Sequence, residues 1–303
     1  MEFLRLLESI RFPLLDKLML FITQFGDETA FLVAALIVFW CVDKNRGYYV
    51  LGVGFGGVGL TQFLKLVCRV PRPWVQDPTF VPVEGAVPAA TGYSFPSGHS
   101  QSAVGTFGVL ASTTKNKALR WVFVAIMILV PFSRMYLGVH FPSDVLVGAG
   151  CSLGLIWAMR YLNDGKYVKQ TLLTVCGLSV AYLLFVELAL DPAGMDEYNY
   201  THGVENAYTM LGATFGMLVV YFVDTKWVNF PVKALWWAQL LKVLGGLAAV
   251  LGVKEGTKPL LTALLGACPG RAVRYFLVVL VAGCLWPLTF RWFERLGKKE
   301  KEC

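Results

Sequence analysis

Long apolar blocks, separated by short and mostly basic segments, constrain this chain more than any other feature. Such blocks run at about residues 26–42, 47–67, 97–113, 120–136, 143–161, 171–189, 206–223, 233–252 and 272–291. A helix needs about 20 apolar residues to cross a bilayer, and most of these blocks approach that length. Composition agrees. Of 303 residues 56% are hydrophobic and only 16% charged, against about 25% charged in a soluble domain. The expected fold is therefore all-α, a polytopic membrane helix bundle. Nine spans give the most coherent layout. Eight or ten remain open, because the first block is short without Asp27 and Glu28 and the eighth contains Lys242.

The net charge of +7 is unevenly placed. Lys44 and Arg46, then Lys115, Lys117 and Arg120, then Arg160, Lys166 and Lys169, then Lys226 and Lys233, and finally the closing RWFERLGKKEKEC all fall on one side of a nine-span chain. Surplus Lys and Arg mark cytoplasmic loops, so that side is expected to be cytoplasmic and nucleic acid is not an expected partner. The other side then holds the N-terminus, the long loop 68–96, the segment 134–142 and the acidic loop DPAGMDEYNYTHGVE. MEFLRLLESIRF mixes both charges with apolar residues at helical spacing. It reads as an amphipathic interfacial segment and not as a cleavable signal. Seven scattered cysteines, without a CxxC or Cys/His cluster, suggest buried free thiols and neither zinc nor a disulfide framework. Glycine pairs four apart (Gly52 and Gly56, Gly150 and Gly154, Gly212 and Gly216) suggest close helix packing. Trp236 and Trp237 suit an interfacial belt.

Three polar clusters interrupt the front half at the non-cytoplasmic ends of helices. KLVCRVPRP supplies Lys65, Arg69 and Arg72. FPSGHSQS supplies Ser97, Gly98 and His99. SRMYLGVHFPSD supplies Arg134, His140 and Asp144. Ionisable groups at the ends of bilayer helices are costly, so each invites a functional reading. Pro142 suits a first helical turn, which places Asp144 four residues from His140. A carboxylate there fixes the imidazole tautomer and makes the far nitrogen a better nucleophile. An interfacial histidine with a capping aspartate is the plainer alternative. Ser97 and Gly98 start a helix whose amides form an anion site, and His99 stands beside it to donate a proton. The plainer alternative is an ordinary N-cap. Lys65, Arg72 and Arg134 suit a phosphate whose charge spreads over three oxygens, or else they snorkel. Arg69 reads as a surface charge. These considerations alone leave open which histidine attacks.

In order, the three patterns are Lys-x6-Arg-Pro, Pro-Ser-Gly-His and Ser-Arg-x5-His-x3-Asp. With every charged position matched, the chain resembles the type 2 phosphatidic acid phosphatase (PAP2) superfamily over roughly residues 25 to 190. The resemblance implies a six-helix core at 25–190, preceded by the interfacial segment 1–24 and followed by about three further membrane helices in 191–303. It implies His140 as the nucleophile forming a phosphohistidine, Asp144 orienting it, and His99 as proton donor and then base. Lys65, Arg72, Ser97, Gly98 and Arg134 would bind phosphate, with no metal and no cofactor. The extra spans are similar in layout to glucose-6-phosphatases and some sphingosine-phosphate phosphatases. The implied function is hydrolysis of a lipid phosphate monoester or pyrophosphate, at an external, periplasmic or lumenal face of a plasma, inner or endomembrane. A phosphotransferase using an acceptor alcohol, a sugar-phosphate phosphatase, and a lipid-binding protein on the same scaffold are the competing readings. A vanadium haloperoxidase shares the pocket type, but the many spans argue against it. His202, with Tyr198 and Tyr200, is expected in a solvated loop. Asn199-Tyr200-Thr201 is a glycosylation sequon, and Lys242 snorkels, pairs with a carboxylate, or marks a misplaced boundary.

Overall fold

The computed structural model describes residues 1–296, of which 80% are helical, with no strand among the described residues. The lysine-rich end and Cys303 lie outside the described residues. Helix α1 (Glu2–Ser9) is amphipathic and buries Leu4 and Leu7. Helix α2 (Pro13–Thr23) opens on a proline in its first turn, where the missing N–H costs nothing. A short turn follows, and Asp27 caps helix α3 (Glu28–Ile37) by accepting the Thr29 amide at 2.8 Å. The rest is α4 (Lys44–Cys68), the single turn α5 (Pro73–Gln76), α6 (Gly98–Thr113), α7 (Lys117–Tyr136), α8 (Pro142–Ala158), α9 (Val168–Leu184), α10 (Glu197–Val223), α11 (Trp236–Leu265), α12 (Ala267–Leu280) and α13 (Phe290–Leu296).

Six helical segments are long and apolar enough to cross a membrane, and a seventh is gained if α2 and α3, bent by 52°, count as one span. This is fewer than the nine expected. The first apolar block begins at Pro13, not at residue 26, and its bend places Asp27 at a cap. The expected spans at 97–113 and 143–161 are α6 and α8, of 16 and 17 residues. At 1.5 Å per residue these cover about 25 Å, short of a hydrocarbon core of about 30 Å. Both start at the polar clusters, which take the place of a further apolar turn. The acidic segment after residue 190 is not all loop, since α10 begins at Glu197 and carries Tyr198, Tyr200 and His202 in its first turns.

The chain forms two compact units that interleave along the sequence. The first comprises Met1–Leu32, Val53–Arg160 and Leu190–Gly203. Helix α6 is at its centre and packs on α7 and α8, while α1 and α2 pack on α7. Ala103, Phe107 and Val130 form one buried cluster, and Met19, Val83, Ala86, Tyr136, Leu137 and Val139 another. Arg5 and Arg11 of the N-terminal segment hold the long loop: Arg5 pairs with Asp77 at 2.8 Å, and Arg11 donates to the carbonyls of Val81 and Tyr136.

The second unit comprises Val33–Gly52, Tyr161–Ala189 and Val204–Cys303. Here α11 packs on α12, and Gly212 lets α10 meet the backbone of Ala272, where a Cβ would lie 2.0 Å from its carbonyl oxygen. Gly150 and Gly154 of the first unit pack against nothing, contrary to the expectation for such pairs. Lys242 neither snorkels nor meets a carboxylate. It is wholly buried, donates to the carbonyls of Trp40 at 2.9 Å and Val232 at 3.2 Å, and lies 4.1 Å from the centre of the Phe290 ring. Of the six described cysteines, all free, Cys176 and Cys284 are buried while Cys68 is exposed, so burial is not general.

Candidate active site

All eight sequence-predicted residues belong to the first compact unit. Lys65 lies in the last turn of α4 and is buried, with Nζ donating to the Thr91 carbonyl at 3.0 Å. After Cys68 the helix ends, with Arg69 in the left-handed region, and Pro73 opens α5 with Arg72 in extended backbone before it. The buried Arg72 guanidinium is heavily engaged. Nε donates to the Gly92 carbonyl at 3.0 Å, Nη2 to Thr91 at 2.7 Å, and Nη1 to Val139 at 2.9 Å. The two adjacent carbonyls of Thr91 and Gly92 thus fix both cations. Gly92 sits at φ +68, a conformation other residues adopt with difficulty, which is why this turn can offer both oxygens to one side.

Arg72 Nη1 also lies 2.8 Å from His140 Nε2, its nearer ring nitrogen, and 3.4 Å from Nδ1. A guanidinium has no acceptor, so Nε2 is the unprotonated nitrogen and Nδ1 carries the proton. Nδ1 faces Asp144 Oδ2 at 3.4 Å, the i, i+4 contact expected from the spacing. Asp144 is held in turn. Its Oδ2 accepts from Ser94 Oγ at 2.5 Å and from the Phe141 amide at 2.9 Å. Pro142 in the first turn of α8 positions it. His140 lies in the turn between α7 and α8. Burial foremost, and then the charges of Arg72, Arg134 and Lys65, hold its imidazole well below the usual histidine range and therefore neutral.

Arg134, in the last turn of α7, is 1% exposed. Only Nη1 has a hydrogen-bond partner, Thr23 Oγ1 at 2.9 Å. Nε and Nη2 are buried without one. Buried donors are nearly always satisfied, so two unsatisfied ones on a cation mark a place for an acceptor.

Ser97 caps α6 and is fully buried. Its Oγ accepts from Ser100 Oγ at 2.9 Å, so the hydroxyl serves the cap and not open space. A Cβ on Gly98 would meet no atom within 4 Å, so it is Gly98 that opens outward. The α6 start is locked to α8, because the Ser97 amide donates to the Asp144 carbonyl at 2.9 Å and a Cβ on Gly148 would sit 2.5 Å from the Ser97 carbonyl oxygen. His99 is half-buried, its ring makes no hydrogen bond with described residues, and it feels the charges of Arg134, Lys65 and Arg72.

The sequence reading missed Ser94, Thr23, the Thr91–Gly92 carbonyls and Gly148. Ser94 had one available signal, its place three residues before Ser97. Main-chain acceptors have none. Arg69, expected to be a surface charge, instead clamps the chain after residue 190, donating to the carbonyls of Asp191 at 2.6 Å and Ala193 at 3.0 Å.

Residues 46–167, which contain all eight positions, match the model described as the PAP2 superfamily. The chain belongs to the PAP2 superfamily. Residues 208–299 match a second model, the PAP2 superfamily phosphatase transmembrane extension, which gives the back part a family of its own. The chain is similar to undecaprenyl-diphosphatase BcrC of Bacillus subtilis, 31% identical over 44% of this chain and 66% of that protein. It is also similar to phosphatidylglycerophosphatase B of Bacillus subtilis, 30% identical over 53% of this chain and 80% of that protein. A third relative is an undecaprenyl-diphosphatase of Sulfolobus acidocaldarius, 30% identical over 48% and 70%. There is no significant match among solved structures. Membership of the PAP2 superfamily and these phosphatase relatives support a phosphatase, a hydrolase, and the transmembrane extension with the apolar helices supports an integral membrane protein.

Proposed function

We propose that this PAP2 protein hydrolyses a lipid phosphate monoester or pyrophosphate through a phosphohistidine, without a metal. The carrying observation is Arg134, fully buried near the neutral His140 with two donors unpaired. Phosphate oxygens would satisfy those donors, and Lys65, Arg72 and the Gly98 amide would complete the cradle. Binding would draw the Arg72 N–H from His140 Nε2 to a phosphate oxygen and so free the lone pair. Nε2 then attacks phosphorus and forms the P–N bond. The P–O bond to the leaving group breaks, and His99, which holds a proton while the bound phosphate offsets the surrounding cations, gives it to that oxygen. Asp144 accepts the Nδ1 proton's hydrogen bond and stabilises the charged ring. In the second step water attacks phosphorus, His99 takes its proton, the P–N bond breaks and phosphate departs. Ser97 acts here as the cap that aims the α6 amides.

The lipid class rests on relatives named for undecaprenyl diphosphate and phosphatidylglycerophosphate, and on the apolar helices around the site. With α6 and α8 counted as short spans, the charge bias of the nine-span sequence layout opens the site away from the cytoplasm. The test is phosphate release by the purified chain in detergent with EDTA, across lipid phosphates and glucose 6-phosphate, wild type against His140→Ala, with radiolabelled phosphate to trap the intermediate. Release and an acid-labile, base-stable label in wild type alone support the reading. Full activity of His140→Ala ends the phosphohistidine assignment. Product appearing only with an added acceptor alcohol makes the protein a transferase, and glucose 6-phosphate as sole substrate removes the lipid class.

A further inference from the structure

The segment 191–203 lies outside both matched family regions, yet the structure fastens it beside the phosphate-binding residues. Arg69 holds its start through the Asp191 and Ala193 carbonyls. Gly203 holds its end against α4, where a Cβ would be 2.7 Å from Leu66 Cδ2, next to Lys65. Between these anchors α10 makes its first turn. A Cβ built on Gly92, the residue whose carbonyl holds Arg72, would lie 3.6 Å from Lys65 Nζ and 3.9 Å from Asn199 Oδ1. Asn199 and Lys65 therefore face the same side of Gly92. The Asn199 Nδ2 donates to Asp196, which leaves the acceptor Oδ1 on the Gly92 side. Tyr198 is within electrostatic reach of Arg72, and Asp196 of Tyr93 in the loop before Ser97.

We propose that the first turn of α10 is the leaving-group wall of the active site, with Tyr198 and Asn199 contacting the part of the substrate that departs from phosphorus. This rests on the phosphatase reading above and narrows its substrate class. The wall presents an amide oxygen and a phenol. Its neighbours are the carboxylates of Asp191, Asp196 and Glu197, and residues 190–203 contain no Lys or Arg. Such a wall accepts hydrogen bonds, and beyond the Arg69 and Lys65 cations at its base its carboxylates repel anions. It suits a leaving alcohol with a hydroxyl or ammonium group near the ester and disfavours a second phosphate, because specificity arises as much from repulsion of the wrong group as from contact with the right one. The substrate is a phosphomonoester with a hydrogen-bond-donating headgroup, not a diphosphate.

The experiment measures kcat/KM of the full-length protein for lysophosphatidic acid, sphingosine 1-phosphate and farnesyl diphosphate. Wild type is compared with Asn199→Leu, Asn199→Asp and Asp196→Lys/Glu197→Lys, with thermal melting to establish that each is folded. Wild type is expected to prefer the two monoesters. Asn199→Leu lowers their kcat/KM about tenfold, the worth of one hydrogen bond, and leaves the diphosphate nearly unchanged. Asn199→Asp, which keeps an acceptor, retains the preference. The double charge reversal raises diphosphate turnover relative to the monoesters. If wild type prefers the diphosphate, or if folded variants scale all three substrates alike, the wall is overturned while the phosphatase reading stands. If folded wild type releases phosphate from none of them or from any other phosphate ester, both fall.

Discussion

Each compact unit buries cations, and two of them, Lys242 and Arg134, are buried in opposite ways, while Arg274 of the second unit and Arg11 of the first each keep one buried nitrogen without a partner. In the second unit Lys242 gives its protons to two carbonyls and leans on the Phe290 ring, and Lys44 meets Asp224 at 2.8 Å. Neither charge is left wanting a partner. In the first unit Arg72 is tied to three carbonyls and touches His140 Nε2, while Arg134 keeps two buried donors unpaired. Removing an ion from water is costly, and that cost is recovered only when its donors are met. A completed set of partners marks a cation that holds the fold. An incomplete set beside a neutral imidazole is what the proposed anion site requires.

The comparison breaks most sharply at Arg134. Arg134→Met is expected to keep the fold and lower kcat/KM by about 10²–10³, the usual effect of removing a donor from developing transition-state charge, as read by phosphate release. If the variant is as active as wild type, the unpaired donors have no role in catalysis. Ser94→Ala sharpens the contrast within the site. It removes one of the hydrogen bonds that steady Asp144, so a loss of about tenfold in kcat is expected with KM little changed. A pure rise in KM would count against a positioning role.

In the second unit Lys242→Met should do the reverse. With the carbonyls of Trp40 and Val232 unpaired, stability falls by about 1–3 kcal/mol, seen as a lower melting temperature, while phosphate release per folded molecule stays at the wild-type level. Loss of turnover without loss of stability would erase the distinction between the two regions. The smallest effect concerns pH. In the proposed mechanism neutral His140 is the reactive form, and burial with three cations lowers its pKa, so activity should persist below the usual histidine range of about 6.5 and be lost only as pH falls further. Removing Arg134 takes away one of those cations. The acid limb of the remaining Arg134→Met activity should therefore move to higher pH, and an unmoved limb would mean that the charge does not act on His140.

Much of this was legible beforehand. Apolar blocks announced the helices, and the spacings from Lys65 to Arg72 and from His140 to Asp144 announced a cluster of basic, imidazole and carboxylate side chains at helix ends, because helical periodicity and charge are properties of the chain read in order. The bend between α2 and α3 was less so. Asp27 reads as a charge trimming a span until its carboxylate is seen capping a new helix. The acidic segment before His202 looked like a loop, since its composition is polar and helix α10 starts inside it.

The sequence by itself determined the class of fold, the family, and the side chains available for chemistry: two histidines, one aspartate and three cations in a membrane chain. Only the tertiary structure decided which nitrogen of His140 is free, since that depends on Arg72 arriving from another helix end. It also decided that Arg134 is short of partners while Lys242 is not, and that Asn199 faces the side of Lys65. The physical reason is common to all three. Hydrogen-bond satisfaction depends on main-chain carbonyls and on helices meeting at small residues such as Gly148, and neither leaves a pattern in the order of the amino acids.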